Sequence, residues 1–169
     1  MVYFLTFRSY GTWLHGDERG SVDRLHNQRG EALLGHDKPL KSYRRRLMKS
    51  EALLFDEACC ACIETTMHEV ATHRQWEILA LNVLSNHVHV VVGTAEGAKP
   101  EKVMSDLKAY TTRRLRERQL LPAQVPVWSH HGSTRYLSDD RAISAACHYV
   151  MECQEEVHDT DDDAHEPGA

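Results

Sequence analysis

The first apolar run, "VYFLTF" (Val2 to Phe7), mixes β-branched and aromatic residues and predicts a strand. Behind it, "SYGTWLHGDERGSVDRLHNQRG" carries Gly11, Gly16, Gly20 and Gly30 and no sustained period, so it predicts a long loop of the functional or disordered kind. "KSYRRRLMKSEA" (Lys41 to Ala52) predicts a short basic helix. Phe55, Cys59, Cys62, Ile63, Met67 and Val70 then recur at helical spacing, which predicts an amphipathic helix from Phe55 to Arg74 laid on a sheet. "QWEILALNVL" (Gln75 to Leu84) and "HVHVVVG" (His87 to Gly93) predict two strands of a hairpin, turned at Ser85 and Asn86. Val103, Leu107, Tyr110 and Thr111 mark a helix from about Pro100 to Arg118, with the proline in its first turn. "VPVWSHHGSTRYL" (Val125 to Leu137) predicts a last strand plus an irregular loop. A final helix from Ser138 to Glu152 has Ile143, Ala146, Cys147 and Val150 as its core face.

The order β, α, β, β, α, β, α, without internal repeat, predicts an α+β fold of ferredoxin-like type. In that fold helices cover one face of an antiparallel sheet and the other face is open to a ligand; here a C-terminal helix carries Tyr149. The 169 residues fit one domain, 1–154, and the remaining "EEVHDTDDDAHEPGA" (155–169) is expected to be a disordered acidic tail. No apolar stretch approaches the roughly 20 residues that span a bilayer, and the N-terminus is too polar for a signal peptide, so the expected location is the cytoplasm. Five cysteines, an odd and loosely spaced set, suit reduced thiols better than a disulfide framework.

Charge changes the picture once it is divided along the chain. The formal net charge is −5, but the tail holds seven of the 25 acidic residues and neither Lys nor Arg, leaving 18 acidic against 20 basic residues in the body. That mildly basic body has clusters at "YRRRLMK" and "RRLRER", which suit either solvated helix faces or contact with nucleic acid.

The chemistry lies in "SNHVHVVVGT". On a strand, side chains alternate between faces, so His87, His89 and Val91 share one side while Val88, Val90 and Val92 form an apolar stripe on the other. Two imidazoles about 7 Å apart along the backbone can converge on one divalent ion. In a chain with 12 histidines the same pair also fits ordinary surface or core residues.

"NHVHVVV", with a strand before it and a helix after it, resembles the His-hydrophobic-His motif of HUH endonucleases. "RAISAACHYVMECQ" places Tyr149 on the last helix, 60 residues after His89, with the tryptophan-containing "VPVWSHHGSTRYLSD" just ahead of it. Together with the opening "FLTFRSYGTWLHGDERGSVDR", these resemble the single-tyrosine HUH transposases of insertion sequences and the REP-associated tyrosine transposases, over roughly residues 2 to 154. The resemblance implies a metal-dependent transposase or nickase that cleaves and rejoins single-stranded or hairpin DNA through a 5′-phosphotyrosine. Tyr149 would be the nucleophile, His87 and His89 would hold Mg²⁺ or Mn²⁺, and no nucleotide cofactor would be needed. Relatives commonly place a third ligand, Gln or Asn, four residues after the tyrosine. Here Cys153 stands there and Gln154, the candidate ligand, follows, about 140° round a regular helix from Tyr149, with Glu152 as its geometric competitor. Insertion-sequence relatives are dimers and REP-associated ones can act alone, so the resemblance leaves homodimer and monomer both open.

For DNA contact, Lys108, Arg113 and Arg116 are expected to track the backbone, and Trp128, His131 and Arg135 to line the site, with Trp13 or Trp128 stacking on bases. Tyr110 shares an apolar face with Val103 and Leu107 and reads as core. Cys59 and Cys62 fall on a buried helical stripe without a second Cys-x-x-Cys, which argues against zinc. Two other functions compete. One is a non-catalytic single-stranded nucleic-acid-binding module of ferredoxin-like fold, which would call for exposed aromatics on the central strands. The other is a two-histidine phosphoesterase, for which only "HGS" at His131 and "HDT" at His158 qualify.

Overall fold

The computed structural model describes residues 1–12, 38–48, 50–95 and 97–152. Trp13, Cys153, Gln154, most of the glycine-punctuated loop and the acidic tail lie outside these residues. In chain order the elements are β1 (Val2–Ser9), α1 (Lys38–Arg46), α2 (Glu57–Arg74), β2 (Glu77–Val83), β3 (His87–Gly93), α3 (Pro100–Glu117), β4 (Trp128–Leu137) and α4 (Asp140–Glu152). Among them no helix is long and apolar enough to cross a membrane.

Alternation in β1 sets the two sides of the sheet. Tyr3, Leu5, Phe7 and Ser9 are buried, while Val2, Phe4, Thr6 and Arg8 between them are half-buried on the other side. β3 lies antiparallel beside β1 and adds Val88, Val90 and Val92 to the first side, where they meet Ile63 and Met67 of α2 and Val103, Leu107 and Leu115 of α3. Full burial of each such side chain contributes on the order of 1.5–3 kcal/mol, which makes this layer the main core. β2 pairs with the outer edge of β3 and β4 with the outer edge of β1, giving the order β2-β3-β1-β4 with every pairing antiparallel. This is the ferredoxin-like arrangement that the sequence predicts.

Helix ends follow local chemistry. Asp56 caps α2 by accepting from the Cys59 amide at 2.8 Å, and Gln75 closes it in the left-handed conformation at φ 58°. The Leu84 amide donates to the His87 carbonyl at 2.9 Å and closes the β2–β3 hairpin across Ser85 and Asn86. The first basic helix starts and ends earlier than its pattern suggests, at Lys38 and Arg46, with Pro39 in the first turn.

Two features depart from the sequence-based expectation. The helices do not all share one face: α4 crosses to the opposite side of the sheet and packs Ala146 and Val150 on Ala80, Val91 and Leu137. The face expected to be open is therefore half covered, because the apolar stripe of α4 matches the apolar ends of β1, β3 and β4. The segment expected to be part loop is strand from Trp128 to Leu137, an edge strand whose mostly exposed, polar residues hide its periodicity.

β4 is bulged where Gly132 faces Phe7 but Trp128 faces Ser9. The Lys108 ammonium lies over the Phe7 ring and donates to two bulge carbonyls, those of Ser129 at 2.9 Å and His131 at 3.0 Å. Burial pulls its pKa down to about 8. At Gly132 a Cβ would lie 2.6 Å from both the Thr6 carbonyl oxygen and the Met104 sulfur, so only glycine permits this approach of β4 to β1 and α3.

Candidate active site

At one end of the α4 side of the sheet the apolar cover stops and polar groups begin. His87 and His89 of β3 face Arg8 and Thr6 of β1 in register, and Asn82 of β2 lies across from His89 on its other side. The two imidazole rings stand 4.6 Å apart between centroids and perpendicular to each other. His89 Nδ1 is 2.8 Å from the Thr6 hydroxyl, and His87 Nδ1 is 2.5 Å from Oδ1 of Asn86. Both histidines are buried, at 9% and 7% exposure, so they form the floor of a site and not an open surface. Burial first, then the His87 ring and the Arg8 cation, push the His89 pKa down to about 3, which keeps that imidazole neutral at physiological pH.

α4 brings Tyr149 to this floor. Asp139 caps the helix by accepting from the Ala142 amide at 2.8 Å, Val150 is fully buried, and Asn82 Nδ2 donates to the Val150 carbonyl at 3.2 Å. With the helix fixed at its N-terminal cap and at Val150 near its end, the Tyr149 ring lies 5.8 Å from that of His89 at 87° and 6.0 Å from that of Phe4 at 73°. Phe4 in turn stacks on His89 at 5.5 Å and 26°. Tyr149 stays 44% exposed, so a polymeric substrate can approach it from solvent.

The side chains fit a divalent cation in part. Two imidazoles stand side by side with ring centroids 4.6 Å apart, and an Mg²⁺ or Mn²⁺ ion held by them would keep further positions for oxygen ligands. Among the described residues no group of three or more His, Cys, Asp and Glu side chains forms a complete cage. Gln154 lies outside the described residues. Glu152, its competitor, is paired with His148 Nδ1 at 3.1 Å on the exposed side of α4.

The other residues singled out from sequence fall in several places. Arg135 is exposed on β4 opposite Phe4 and so shares the histidine side of the sheet. Trp128 packs on Phe7 and Phe55 on the helix side, and its indole N–H donates at 3.2 Å to the Lys108 carbonyl and the Thr111 hydroxyl. His131 is exposed in the bulge beside His130, at 4.4 Å between rings. Lys108, Trp128 and His131 line a groove of about 590 Å³ between α3 and β4, whose lining includes neither His87 nor His89. Arg113 covers the Tyr110 ring at 5.2 Å, and Arg116 donates to the Val125 carbonyl at 3.3 Å, both on the outer helix layer. Tyr110 packs against the main core, and the buried Cys59 thiol, its pKa pushed up to about 12 mainly by desolvation, is a packing residue.

Sequence reading missed Phe4, Thr6, Arg8, Asn82 and Asn86. Alternation in β1 would have put the first three on one face, but only the β1–β3 register tells which histidine each one meets.

The family model described as "Transposase IS200 like" matches residues 41–152. No curated protein matches the chain. Among solved structures it is similar to a protein assigned as a transposase from Deinococcus radiodurans R1, with 15% identity over 86% of this chain and 85% of that one and a TM-score of 0.49. It is also similar to a REP-associated tyrosine transposase bound to a REP hairpin, with 13% identity over 88% of this chain and 63% of that one and a TM-score of 0.47. The matched residues include β2, β3, α3, β4 and α4, and with them both histidines and Tyr149, and the chain belongs to the IS200-like transposase family.

Proposed function

We propose that this transposase cleaves and rejoins single-stranded or hairpin DNA through Tyr149. The phenolic oxygen attacks a backbone phosphorus, the bond from phosphorus to the 3′ oxygen breaks, and the phenolic proton passes by way of solvent to the departing 3′ oxygen. A 5′-phosphotyrosine and a free 3′-hydroxyl result. Attack by a 3′-hydroxyl on that ester reverses the step, so the bond energy is kept and no nucleotide cofactor enters.

His87 and His89 would hold Mg²⁺ or Mn²⁺, with Gln154 as the proposed third protein ligand. When bound, such an ion supplies Lewis-acid polarisation of a non-bridging phosphate oxygen. Arg8 and Arg135 share that face and give the DNA backbone cationic partners beside the reacting phosphate. His131, exposed on the edge strand β4 and lining the groove toward α3, would meet only a strand that runs past Arg135 and over that edge. Lys108, Trp128, Arg113 and Arg116 face the other side and would touch DNA only where it wraps round the domain.

The observation that carries this reading is the contact of the Tyr149 ring with the ring of His89, next to His87. The test is incubation with labelled hairpin DNA and Mg²⁺ or Mn²⁺, followed by denaturing electrophoresis. A denaturation-resistant adduct is expected from the unmodified protein and from Tyr110→Phe, and none from Tyr149→Phe. Cleavage without an adduct would mean hydrolysis, and binding alone would mean a nucleic-acid-binding module.

A further inference from the structure

Each histidine of the site presents one ring nitrogen to a neighbour that the sequence reading did not single out. Nδ1 of His87 is 2.5 Å from the Asn86 side-chain oxygen, and Nδ1 of His89 is 2.8 Å from the Thr6 hydroxyl. Asn86 is itself held. Its backbone carbonyl accepts from the Ser9 amide at 2.9 Å, the Ser9 hydroxyl at 3.1 Å and the Thr12 hydroxyl at 3.3 Å, and all three residues are buried. Thr6 is fixed by the sheet, directly opposite His89 in the β1–β3 ladder.

We infer that Asn86 and Thr6 are positioning residues: Asn86 locks His87 in the tautomer with the proton on Nδ1, and Thr6 holds the His89 ring by its Nδ1, so that each ring offers its Nε2 to a cation. A carboxamide oxygen only accepts, so the hydrogen bond to Asn86 puts the proton of a neutral His87 on Nδ1. The Thr6 hydroxyl can donate or accept. The tautomer that makes His89 a second ligand is the one in which Nδ1–H donates to it. An imidazole without such a partner is free to rotate about its side-chain torsions and to move its proton to Nε2, which removes the donor. Outer partners of this kind commonly contribute about 10- to 100-fold in metal affinity. The inference rests on the proposed cation-assisted strand transfer, and it concerns which groups prepare the histidines for it.

The experiment uses the full chain without metal and then with Mn²⁺. Long-range ¹H–¹⁵N NMR of the imidazoles reads the tautomer of each ring directly, and Mn²⁺ titration followed by electron paramagnetic resonance reads affinity. The unmodified protein should show both rings protonated on Nδ1. Thr6→Val, which keeps the shape and loses the hydroxyl, should move the proton of His89 alone and weaken Mn²⁺ binding about 10-fold or more, and Thr6→Ser should restore both. Asn86→Ala should do the same to His87 alone, with Asn86→Asp as its restoring partner. If Asn86→Ala fails to fold, the Thr6 pair decides the matter by itself. Rings protonated on Nε2 in the unmodified protein, or Mn²⁺ affinity unchanged in Thr6→Val, would overturn the inference. Loss of Mn²⁺ binding in Thr6→Val alongside an unmodified protein that forms no DNA adduct would sink the strand-transfer reading and leave the positioning role standing.

Discussion

Tyr149 and His89, 60 residues apart in the chain, meet ring edge to ring face at 5.8 Å because α4 is seated on β2 and β3 by Val150 and Asn82. The seat is on the same side of the sheet as the histidine pair, and this makes one site of two separate sequence motifs. A tyrosine on the stripe that Ala146 and Val150 occupy would instead be buried between α4 and the sheet.

If DNA lies on the histidine side of the sheet, the cations of that side should govern its affinity. Arg8→Ala and Arg135→Ala should each weaken binding of single-stranded DNA and reduce the slope of log affinity against log salt by about 0.7, the contribution of one phosphate contact on a single strand. Arg113→Ala and Arg116→Ala, on the outer helix layer, should leave both nearly unchanged. Fluorescence anisotropy across a salt series reads the difference, and equal losses from the two sets would place the DNA elsewhere.

Burial of His89 makes the metal-free protein sensitive to acid. Its folded pKa near 3 lies below the ordinary 6.5, so the unfolded chain takes up the proton first. The stability present above about pH 6.5 should therefore fall as the pH drops toward 3, by up to about 1.4 kcal/mol per pH unit from this group. Urea denaturation at pH 7 and pH 5 should show a smaller difference in His89→Gln than in the unmodified protein; an identical difference would mean that His89 is not held neutral.

Gly132→Ala should disturb the site from a distance. The new methyl would press on the Thr6 carbonyl oxygen, part of the β1 backbone, and on the Met104 sulfur, a side chain able to give way. Overpacking of this kind costs about 1–3 kcal/mol. Denaturation should show that loss, and Met104→Ala added to Gly132→Ala should not recover it, because the backbone oxygen stays in place.

Much of the fold was legible because each strand and helix has its own period. β1, the β2–β3 hairpin, α2, α3 and α4 stand within a few residues of where alternation and helical spacing put them. Two things were not legible, for one reason: both depend on which surfaces meet. The apolar stripe of α4 announces a buried face but not that it lies across the sheet from α2 and α3, and the full extent of β4, expected as a strand plus a loop, is hidden because the polar residues of this edge strand carry no period. At the site, His87, His89 and Tyr149 were visible as residue types at telling spacings. Thr6, Arg8 and Phe4 were not, since a threonine, an arginine and a phenylalanine on a first strand acquire meaning only from the register that sets them against His89, His87 and Val91. Lys108, expected from sequence on the polar side of its helix and along a DNA backbone, is drawn into the bulge of β4, a backbone irregularity that no side-chain pattern announces.

The account is tested most directly by finding where DNA becomes attached. After reaction with a labelled hairpin and Mn²⁺, nuclease trimming, proteolysis and mass spectrometry should locate a nucleotide 5′-phosphate on Tyr149 and on no other tyrosine. Attachment at Tyr110 or Tyr136, or linkage through a 3′-phosphate, would contradict it.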